Sequence, residues 1–176
     1  MPRSDWEAGS HLLFVSQLPH LLVGDIQLIQ ETGRQSVKAQ FAGDITVQEA
    51  WSMLRDERNS MLIDVRTDAE WSFVGVPDLS ELGKQPLLVS WQRFPDMSPN
   101  TNFVESLRSA GIVDDAANLF ICRSGARSRS AALAMAADGF TRCYNVAEGF
   151  EGDKDLQQHR GFTGGWKAAR LPWVQS

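Results

Sequence analysis

The chain contains few of the residues that commonly bind metals or cross-link small proteins. It has two cysteines, Cys122 and Cys143, in 176 residues, whereas a disulfide scaffold would carry more cysteines in a much shorter chain. No Cys-x-x-Cys pair or Cys/His cluster has zinc-ligand spacing, and His11, His20 and His159 are scattered. We therefore expect two free thiols in a reducing compartment, a cytoplasmic protein, and neither a metal nor a cofactor.

The chain also lacks an excess of positive charge and a long unbroken apolar run. Its formal net charge is -5, which argues against a nucleic-acid partner, because such proteins usually present a basic face. The most apolar early stretch, residues 11–29, is interrupted by Pro19, His20 and Asp25, so we expect neither a membrane span nor a signal peptide. An acidic protein that binds an anion must concentrate its arginines locally.

The apolar residues that are present suffice for one well-packed domain. Hydrophobic residues make up 43% of the chain, and a domain of this size buries roughly 70% of the surface that its unfolded chain exposes. Residues 1–42 lack strong periodicity and are predicted to be an N-terminal extension. It is either a docking arm or lid or, as we favour, a packed or frayed terminus. Residues 43–176 are predicted to form the domain, including the C-terminal tail.

Strand and helix patterns alternate from residue 43 onward. Thr46 and Glu49 have the spacing of a helix capping box, and apolar residues follow at helical intervals. Further strands are predicted within SMLIDVR, PLLVSWQ, NLFICRS and TRCYNVAEGF, and further helices within SPNTNFVESLRSAGI and ARSRSAALAMAADGF. The alternation predicts an α/β domain with a mainly parallel sheet and helices on both faces. Ligands of such domains bind at the carboxyl ends of the strands.

The segment LFICRSGARSRSAALAMA places Cys122 where a thiolate would be stabilised. Cys122 follows a predicted strand that ends at Ile121, and a short loop containing Arg123 and Gly125 leads into a helix near Arg127. A free thiol, with a pKa near ~8.5, is mostly protonated at neutral pH. The helix N-terminus, the loop N–H groups and the two guanidiniums would each favour the anion. The pattern therefore predicts a nucleophilic cysteine at an anion site. The alternative is an inert cysteine beside arginines that solvate a turn.

Several motifs resemble one enzyme family. CRSGARS, residues 122–128, resembles the active-site loop of bacterial single-domain rhodaneses. LIDVRTDAEW resembles the family's early strand motif, YNVAEGFEGD its last strand and glycine turn, and HRG with GWKAARLPW the tail of one bacterial subgroup. The resemblance covers roughly residues 43–173. It departs at VGVPDLSEL, where the family usually has Gly-His-Ile-Pro-Gly-Ala, so the detailed path of this segment is not predicted.

The resemblance implies a rhodanese-like three-layer fold with a five-stranded parallel sheet and helices on both faces. It implies a thiosulfate:cyanide sulfurtransferase-like enzyme in which Cys122 takes the outer sulfur of a small anionic donor, such as thiosulfate, as a persulfide. The sulfur would then pass to a thiol, to cyanide or to a sulfur-accepting protein. Arg123 and Arg127 would help bind the donor's anionic head. The predicted anion-binding loop comprises Arg123, Ser124, Gly125, Ala126, Arg127 and Ser128.

Three other functions stay open at this point. A persulfide carrier in a protein sulfur relay would use the same cysteine but take its sulfur from another protein. A cysteine phosphatase or arsenate reductase fits less well, because phosphatases of related architecture have one more residue between cysteine and arginine than separates Cys122 from Arg127. A non-catalytic rhodanese-like binding module also fits less well, since such modules commonly lose the cysteine.

Four further residues each have two interpretations. Asp64, Arg66 and Glu70 lie at the end of a predicted strand and either line the cleft or, as we favour, form a structural ion-pair network. Cys143 is either a resolving thiol or, as we favour, a small buried residue on a strand.

Overall fold

A computed structural model describes residues 41–175, so the predicted extension over residues 1–42 lies almost entirely outside the described residues. The strands are β1 (Gly43–Ile45), β2 (Met61–Asp64), β3 (Val76–Pro77), β4 (Leu87–Leu88), β5 (Gln92–Arg93), β6 (Ser98–Pro99), β7 (Asn118–Ile121), β8 (Cys143–Val146) and β9 (Trp173–Val174). The helices are α1 (Val47–Asp56), α2 (Asp68–Val74), α3 (Phe103–Ser109), α4 (Ala126–Ala137) and α5 (Gly165–Ala168). Within residues 41–175, no helix combines the length and the apolar character that a bilayer crossing requires.

Five of the strands form one parallel sheet in the order β1-β8-β7-β2-β4. The central strand β7 pairs with β2 on one side and with β8 on the other. The predicted α/β fold with a five-stranded parallel sheet is therefore confirmed. Asp64 and Ile121 are partners in the β2–β7 register, so the loops that follow these two strands begin side by side at one edge of the sheet.

Helices cover both faces of this sheet, as predicted. On one face Ile63 and Phe120 pack in a cluster with residues of α3 and α4, and on the other Leu62 and Leu119 pack with residues of α1 and α5. All four of these strand residues are fully buried. Successive strand residues face opposite sides, so an uninterrupted apolar run on β2 and β7 supplies two cores at once.

The hairpin of β5 and β6 replaces part of a predicted helix. The helix expected within SPNTNFVESLRSAGI begins only at Phe103, because the residues before it form the antiparallel β5–β6 pair. The side chain of Asn100 stabilises this turn structure by donating to the Ser90 carbonyl at 2.9 Å and accepting from the Asn102 N–H at 3.2 Å. Such side-chain bonds compete with helix formation. Within the run PLLVSWQ, the parallel sheet takes up only Leu87–Leu88, and Gln92 begins β5 of the hairpin.

The segment VGVPDLSEL, whose path was not predicted, forms β3 and a short 3₁₀ turn. β3 pairs antiparallel with β9, which brings the C-terminal segment back onto the domain. Trp166 of α5 is fully buried in the core cluster that α1 shares, and its indole N–H donates to the Pro172 carbonyl at 2.8 Å. The C-terminal segment is therefore part of the hydrophobic core on the α1 side of the sheet.

Candidate active site

Cys122 lies at the carboxyl tip of the central strand, at the base of a cleft. It follows β7 directly, and α4 begins at Ala126, so three residues separate the cysteine from the helix. The cysteine is 1% exposed, yet its side chain contributes to the cleft lining. Ala126, Arg127 and Ser128, which the sequence placed in the anion-binding loop, lie in the first turn of α4.

Two donors contact the sulfur of Cys122. The Gly125 N–H donates to Sγ at 3.2 Å, and the hydroxyl of buried Ser128 is also 3.2 Å from Sγ. The same hydroxyl lies 3.1 Å from the Gly125 carbonyl, so its single proton has two acceptors in reach. An anionic sulfur is the stronger acceptor of the two, because hydrogen bonds to charged groups are about twice as strong. Of the loop N–H groups predicted to favour the anion, that of Gly125 contacts the sulfur among the described residues, and the second donor is the Ser128 hydroxyl.

The turn that follows β8 holds the backbone on the other side of the loop. The Phe150 N–H donates to the Cys122 carbonyl at 2.7 Å, and the Glu151 N–H donates to the Arg123 carbonyl at 2.9 Å. Gly149, with φ of +66°, passes so close that a Cβ would lie 2.5 Å from the Cys122 carbonyl oxygen. Glycine is required there for both conformation and space. The position of Cys122 therefore depends on residues about one strand–helix unit later in the chain.

The two arginines of the loop are in different electrostatic states. Arg127 is paired with Glu70 of α2 through two hydrogen bonds, of 2.7 Å from Nη1 to Oε2 and 2.6 Å from Nη2 to Oε1. Arg123 is exposed, and its guanidinium makes no hydrogen bond or ion pair with any of the described residues. Both line the cleft. A bound anion would therefore meet one uncommitted guanidinium and one that is already neutralised.

Glu70 also completes the N-terminal cap of α2. Its carboxylate accepts from the N–H and from the hydroxyl of Thr67, each at 2.9 Å, and its own N–H donates to the Thr67 hydroxyl at 3.3 Å. Burial alone would raise the pKa of Glu70. Hydrogen bonds from Arg127 and Thr67, with the charge of Arg127, outweigh burial and lower this pKa from 4.5 to about 2. The carboxylate is therefore ionised throughout the neutral range.

The cleft above Cys122 has a volume of about 540 Å³ and two chemically different walls. One wall is the cysteine loop with the start of α4, and it carries the arginines. The other wall comes from α2 and the β5–β6 hairpin, and its members are mostly apolar. That wall consists of Thr67, Ala69, Glu70, Phe73, Val74, Gln92, Phe94 and Met97.

The sequence model of the STR4 middle domain matches residues 42–176. This chain belongs to the STR4 middle-domain family. The uncharacterized RP600 homolog of Rickettsia rickettsii is 36% identical over 130 residues, which cover 74% of this chain and 95% of that protein. The chloroplastic rhodanese-like domain-containing protein 4 of Arabidopsis thaliana is 24% identical over 131 residues, which cover 74% of this chain and 25% of that protein.

Two solved structures share the fold. Rv0390 from M. tuberculosis is 47% identical, with a TM-score of 0.72 over 78% of this chain and all of that one. The polysulfide-sulfur transferase homodimer from Wolinella succinogenes is 20% identical, with a TM-score of 0.54 over 87% of this chain and 92% of that one. The rhodanese-like fold that the motifs implied is confirmed. The family that matches is the STR4 middle domain rather than the thiosulfate sulfurtransferases specifically.

Asp64 and Arg66 of this STR4 middle-domain protein lie beneath the site and do not line the cleft. Both side chains are fully buried, and the Arg66 guanidinium donates to Asp64 at 2.6 Å and to the Gly75 carbonyl at 2.8 Å. It also stacks 4.1 Å from the ring centroid of Phe150. This buried pair joins the end of β2 to the turn after β8, which itself supports the cysteine loop. Of the three residues with two interpretations at this strand end, Glu70 alone lines the cleft.

Cys143 is a buried thiol on β8. Its Sγ is 3.7 Å from the Phe140 carbonyl oxygen, to which it donates. Burial raises the pKa of Cys143 to about 12, so the group stays a neutral thiol at physiological pH. It does not contribute to the lining of the cleft above Cys122.

Sequence reasoning missed the apolar wall of the cleft. Phe73 lies on a helix that the sequence did not predict. Phe94 and Met97 lie between the predicted strand PLLVSWQ and the predicted helix SPNTNFVESLRSAGI, where no element was predicted. One signal was available in the sequence. Phe94 and Met97 stand between polar residues and Pro95 without strand or helix periodicity, a pattern that indicates a loop rather than a core element.

The Glu70–Arg127 pair predicts an acid-dependent stability. Replacing Glu70 by glutamine is expected to lower the free energy of unfolding by about 2 kcal/mol at neutral pH, because half-buried Arg127 loses a charged partner. The pKa of Glu70 falls from 4.5 to about 2 on folding, so its contribution is complete above 4.5 and disappears as the pH drops towards 2. Urea unfolding should therefore show a difference between wild type and variant that shrinks with acidification.

Glu81→Gln is the matched control for this prediction. Glu81 is exposed and makes no side-chain hydrogen bond or ion pair with the described residues, so this variant should unfold like the wild type at each pH. A deficit in Glu70→Gln that stayed constant from neutral pH down to about pH 3 would contradict the assigned ion pair.

Proposed function

We propose that this protein is a sulfurtransferase in which Cys122 carries sulfur, as a persulfide, from a small anionic donor such as thiosulfate to a nucleophilic acceptor. One observation carries the proposal. The Cys122 sulfur lies at the base of an open cleft, with an amide and a hydroxyl each 3.2 Å away and an uncommitted guanidinium, that of Arg123, on the same wall. A thiolate that attacks an anion needs these features together.

The first step is a displacement at sulfur. The Cys122 thiolate attacks the outer sulfur of thiosulfate, a new S–S bond forms, and the original S–S bond breaks with its electron pair leaving on sulfite. Charge balances, because a thiolate and a dianion become a persulfide anion and a dianion. The Gly125 N–H and the Ser128 hydroxyl stabilise the attacking thiolate. Arg123 binds the sulfonate oxygens of the donor and of the departing sulfite.

Arg127 has a different role from Arg123 in this scheme. Its two Nη groups are held by Glu70, so it adds a fixed donor plane to the cleft rather than a free charge. Ser124 and Ala126 complete the same wall. In the second step an acceptor such as cyanide or a thiol attacks the outer sulfur of the persulfide, and the Cys122 thiolate is released for another cycle.

The comparisons support sulfur transfer as the class of reaction. The Arabidopsis relative is named as rhodanese-like, and the Wolinella protein of the same fold is named as a polysulfide-sulfur transferase. The short loop between Cys122 and Arg127 supports sulfur over phosphate as the group that is transferred.

Intact mass measurement tests the proposal. Wild-type protein incubated with thiosulfate, without reductant, is expected to gain the mass of one sulfur atom, and added cyanide should remove it with formation of thiocyanate. Hydrolysis of a phosphate ester, assayed in parallel, should stay at the background rate. The absence of sulfur gain, or turnover of the phosphate ester, would overturn the proposal. A stable sulfur adduct with slow release to cyanide would indicate a relay carrier instead.

A further inference from the structure

The apolar wall of the cleft makes no contact that the transfer of sulfur from an inorganic anion requires. We propose that it forms an acceptor subsite, and that the acceptor is a small organic thiol with an apolar body. This inference rests on the proposed function, since it names the substrate of the second step. The side chains that carry it are Phe73, Phe94 and Met97.

These three side chains are exposed although they are large and apolar. Phe73 is 79% exposed, Phe94 60% and Met97 38%, and none of them packs in either core cluster. Single exposed apolar residues are common, but several around one cleft mark a binding surface. The fold therefore presents them to the cleft without using them for its own stability.

The wall is also held in place on both sides. Phe73 lies in the last turn of α2, where the Phe73 carbonyl accepts from the Gln175 side chain and the Val74 carbonyl accepts from Lys167, each at 2.8 Å. The hairpin that carries Phe94 is fastened at its base, because Arg93 donates to the Asn100 side chain at 3.0 Å. A subsite built from two fastened elements offers a defined surface rather than a loose one.

The size and the polarity of the cleft argue for an organic occupant. A volume of about 540 Å³ falls within the range that holds ligands of drug size, whereas an inorganic anion or cyanide occupies a small part of it. The cysteine wall carries the charge of Arg123, unpaired among the described residues, and the hydroxyl of Ser124, whereas the carboxylate of Glu70 on the other wall is paired with Arg127. An occupant that contacts both walls needs a reactive polar end and an apolar body.

The chemistry of the two substrates identifies this occupant as the acceptor. Both displacements at the outer sulfur are in line, so the acceptor sulfur occupies the position that sulfite leaves. Thiosulfate has no organic body, whereas an organic thiol extends from that position away from Sγ. Its apolar body can then contact Phe73 and Phe94, which are exposed and line the cleft.

The transfer balances without a further reactant. The acceptor thiol gives its proton to the persulfide anion, and the resulting thiolate attacks the outer sulfur. A new S–S bond forms, and the bond from that sulfur to Cys122 Sγ breaks. Cys122 departs as a thiolate, and the product is the organic hydropersulfide. No oxidant or reductant takes part, because the sulfur atom moves at its existing oxidation level.

A pair of thiols that differ in one group tests the subsite. Wild-type protein loaded with thiosulfate is assayed with 1-butanethiol and with 4-mercapto-1-butanol, whose thiols have nearly equal basicity. The kcat/KM for butanethiol is expected to exceed that for the hydroxylated thiol by about tenfold, the lower limit for a single group in an apolar site. Phe73→Ala and Phe94→Ala should each reduce this ratio by about threefold or more.

Phe162→Ala is the matched control, because Phe162 is 74% exposed and does not line the cleft. It should keep the wild-type ratio. Equal kcat/KM values for the two thiols in the wild type, or wild-type ratios in both Phe73→Ala and Phe94→Ala, would overturn the inference. These variants lie on separate elements, so the test survives if one fails to fold. Failure of the wild type to load sulfur would instead overturn the proposed function. Intact mass measurement distinguishes that outcome from equal kcat/KM values for the two thiols on a protein that has loaded sulfur.

Discussion

Replacing Cys122 by serine is expected to abolish sulfur transfer, with turnover of thiosulfate and cyanide reduced by more than about a thousandfold. A serine hydroxyl is not ionised near neutral pH and cannot carry sulfur as a persulfide. The substitution is nearly isosteric. The serine hydroxyl can replace Sγ in the contacts with Gly125 and Ser128, both 3.2 Å in the wild type, so the variant should fold normally. Intact mass after thiosulfate treatment should show no gain of sulfur.

Cys143→Ala is the matched control for the thiol. Cys143 is buried beside Phe140, outside the cleft lining, and burial raises its pKa to about 12. The alanine variant should lose about 1 kcal/mol of stability through lost packing and keep its sulfur gain. Sulfur uptake by Cys122→Ser would show that Cys122 is not the carrier. Loss of uptake in a folded Cys143→Ala variant would show that Cys143 is required as well.

Replacing Gly125 by alanine is expected to remove both sulfur loading and about 2–4 kcal/mol from the free energy of unfolding. Gly125 has φ of +92°, and a Cβ there would overlap the carbonyl oxygen of Ala147. The Ala147 backbone cannot give way easily, because Ala147 donates its N–H to the Ile45 carbonyl at 3.0 Å. The loop must therefore move, and the Gly125 N–H leaves the Cys122 sulfur.

The Gly139→Ala variant distinguishes the effect of steric overlap from the effect of backbone strain at positive φ. Gly139 has φ of +105°, similar to that of Gly125, but a Cβ there meets no atom within 4 Å. This variant should lose only about 1–2 kcal/mol and load sulfur normally. Urea unfolding and intact mass of both variants provide the comparison. Equal destabilisation of the two, with sulfur loading retained in Gly125→Ala, would show that the loop tolerates a side chain at this position.

The loop that follows Cys122 is held by backbone contacts rather than by flexible side chains. The turn after β8 donates two N–H groups to the carbonyls of Cys122 and Arg123, and Gly149 lies against the same carbonyls. Beneath that turn, the ring of Phe150 packs on the buried Arg66 guanidinium at 4.1 Å. A close-packed backbone has little freedom to absorb an added atom.

Local patterns in the sequence were enough to predict the strand–loop–helix around Cys122. The apolar run before the cysteine marks a strand buried on both faces, and an alanine-rich helix follows directly at Ala126. The capping box of Thr46 and Glu49 is present at the start of α1, as expected. These features depend on residues within a few positions of one another, so they can be recognised without knowledge of the fold.

The sequence by itself therefore determined the α/β class, the alternating elements and a cysteine at a strand tip. Only the tertiary structure decided which charges and surfaces meet that cysteine. Glu70 neutralises Arg127 across 57 positions of chain, and Phe73 and Phe94 line the same cleft as Arg123. The physical reason is strand order. Periodicity shows which face a residue occupies, but which loops become neighbours depends on β2 pairing beside β7, a contact between distant parts of the chain.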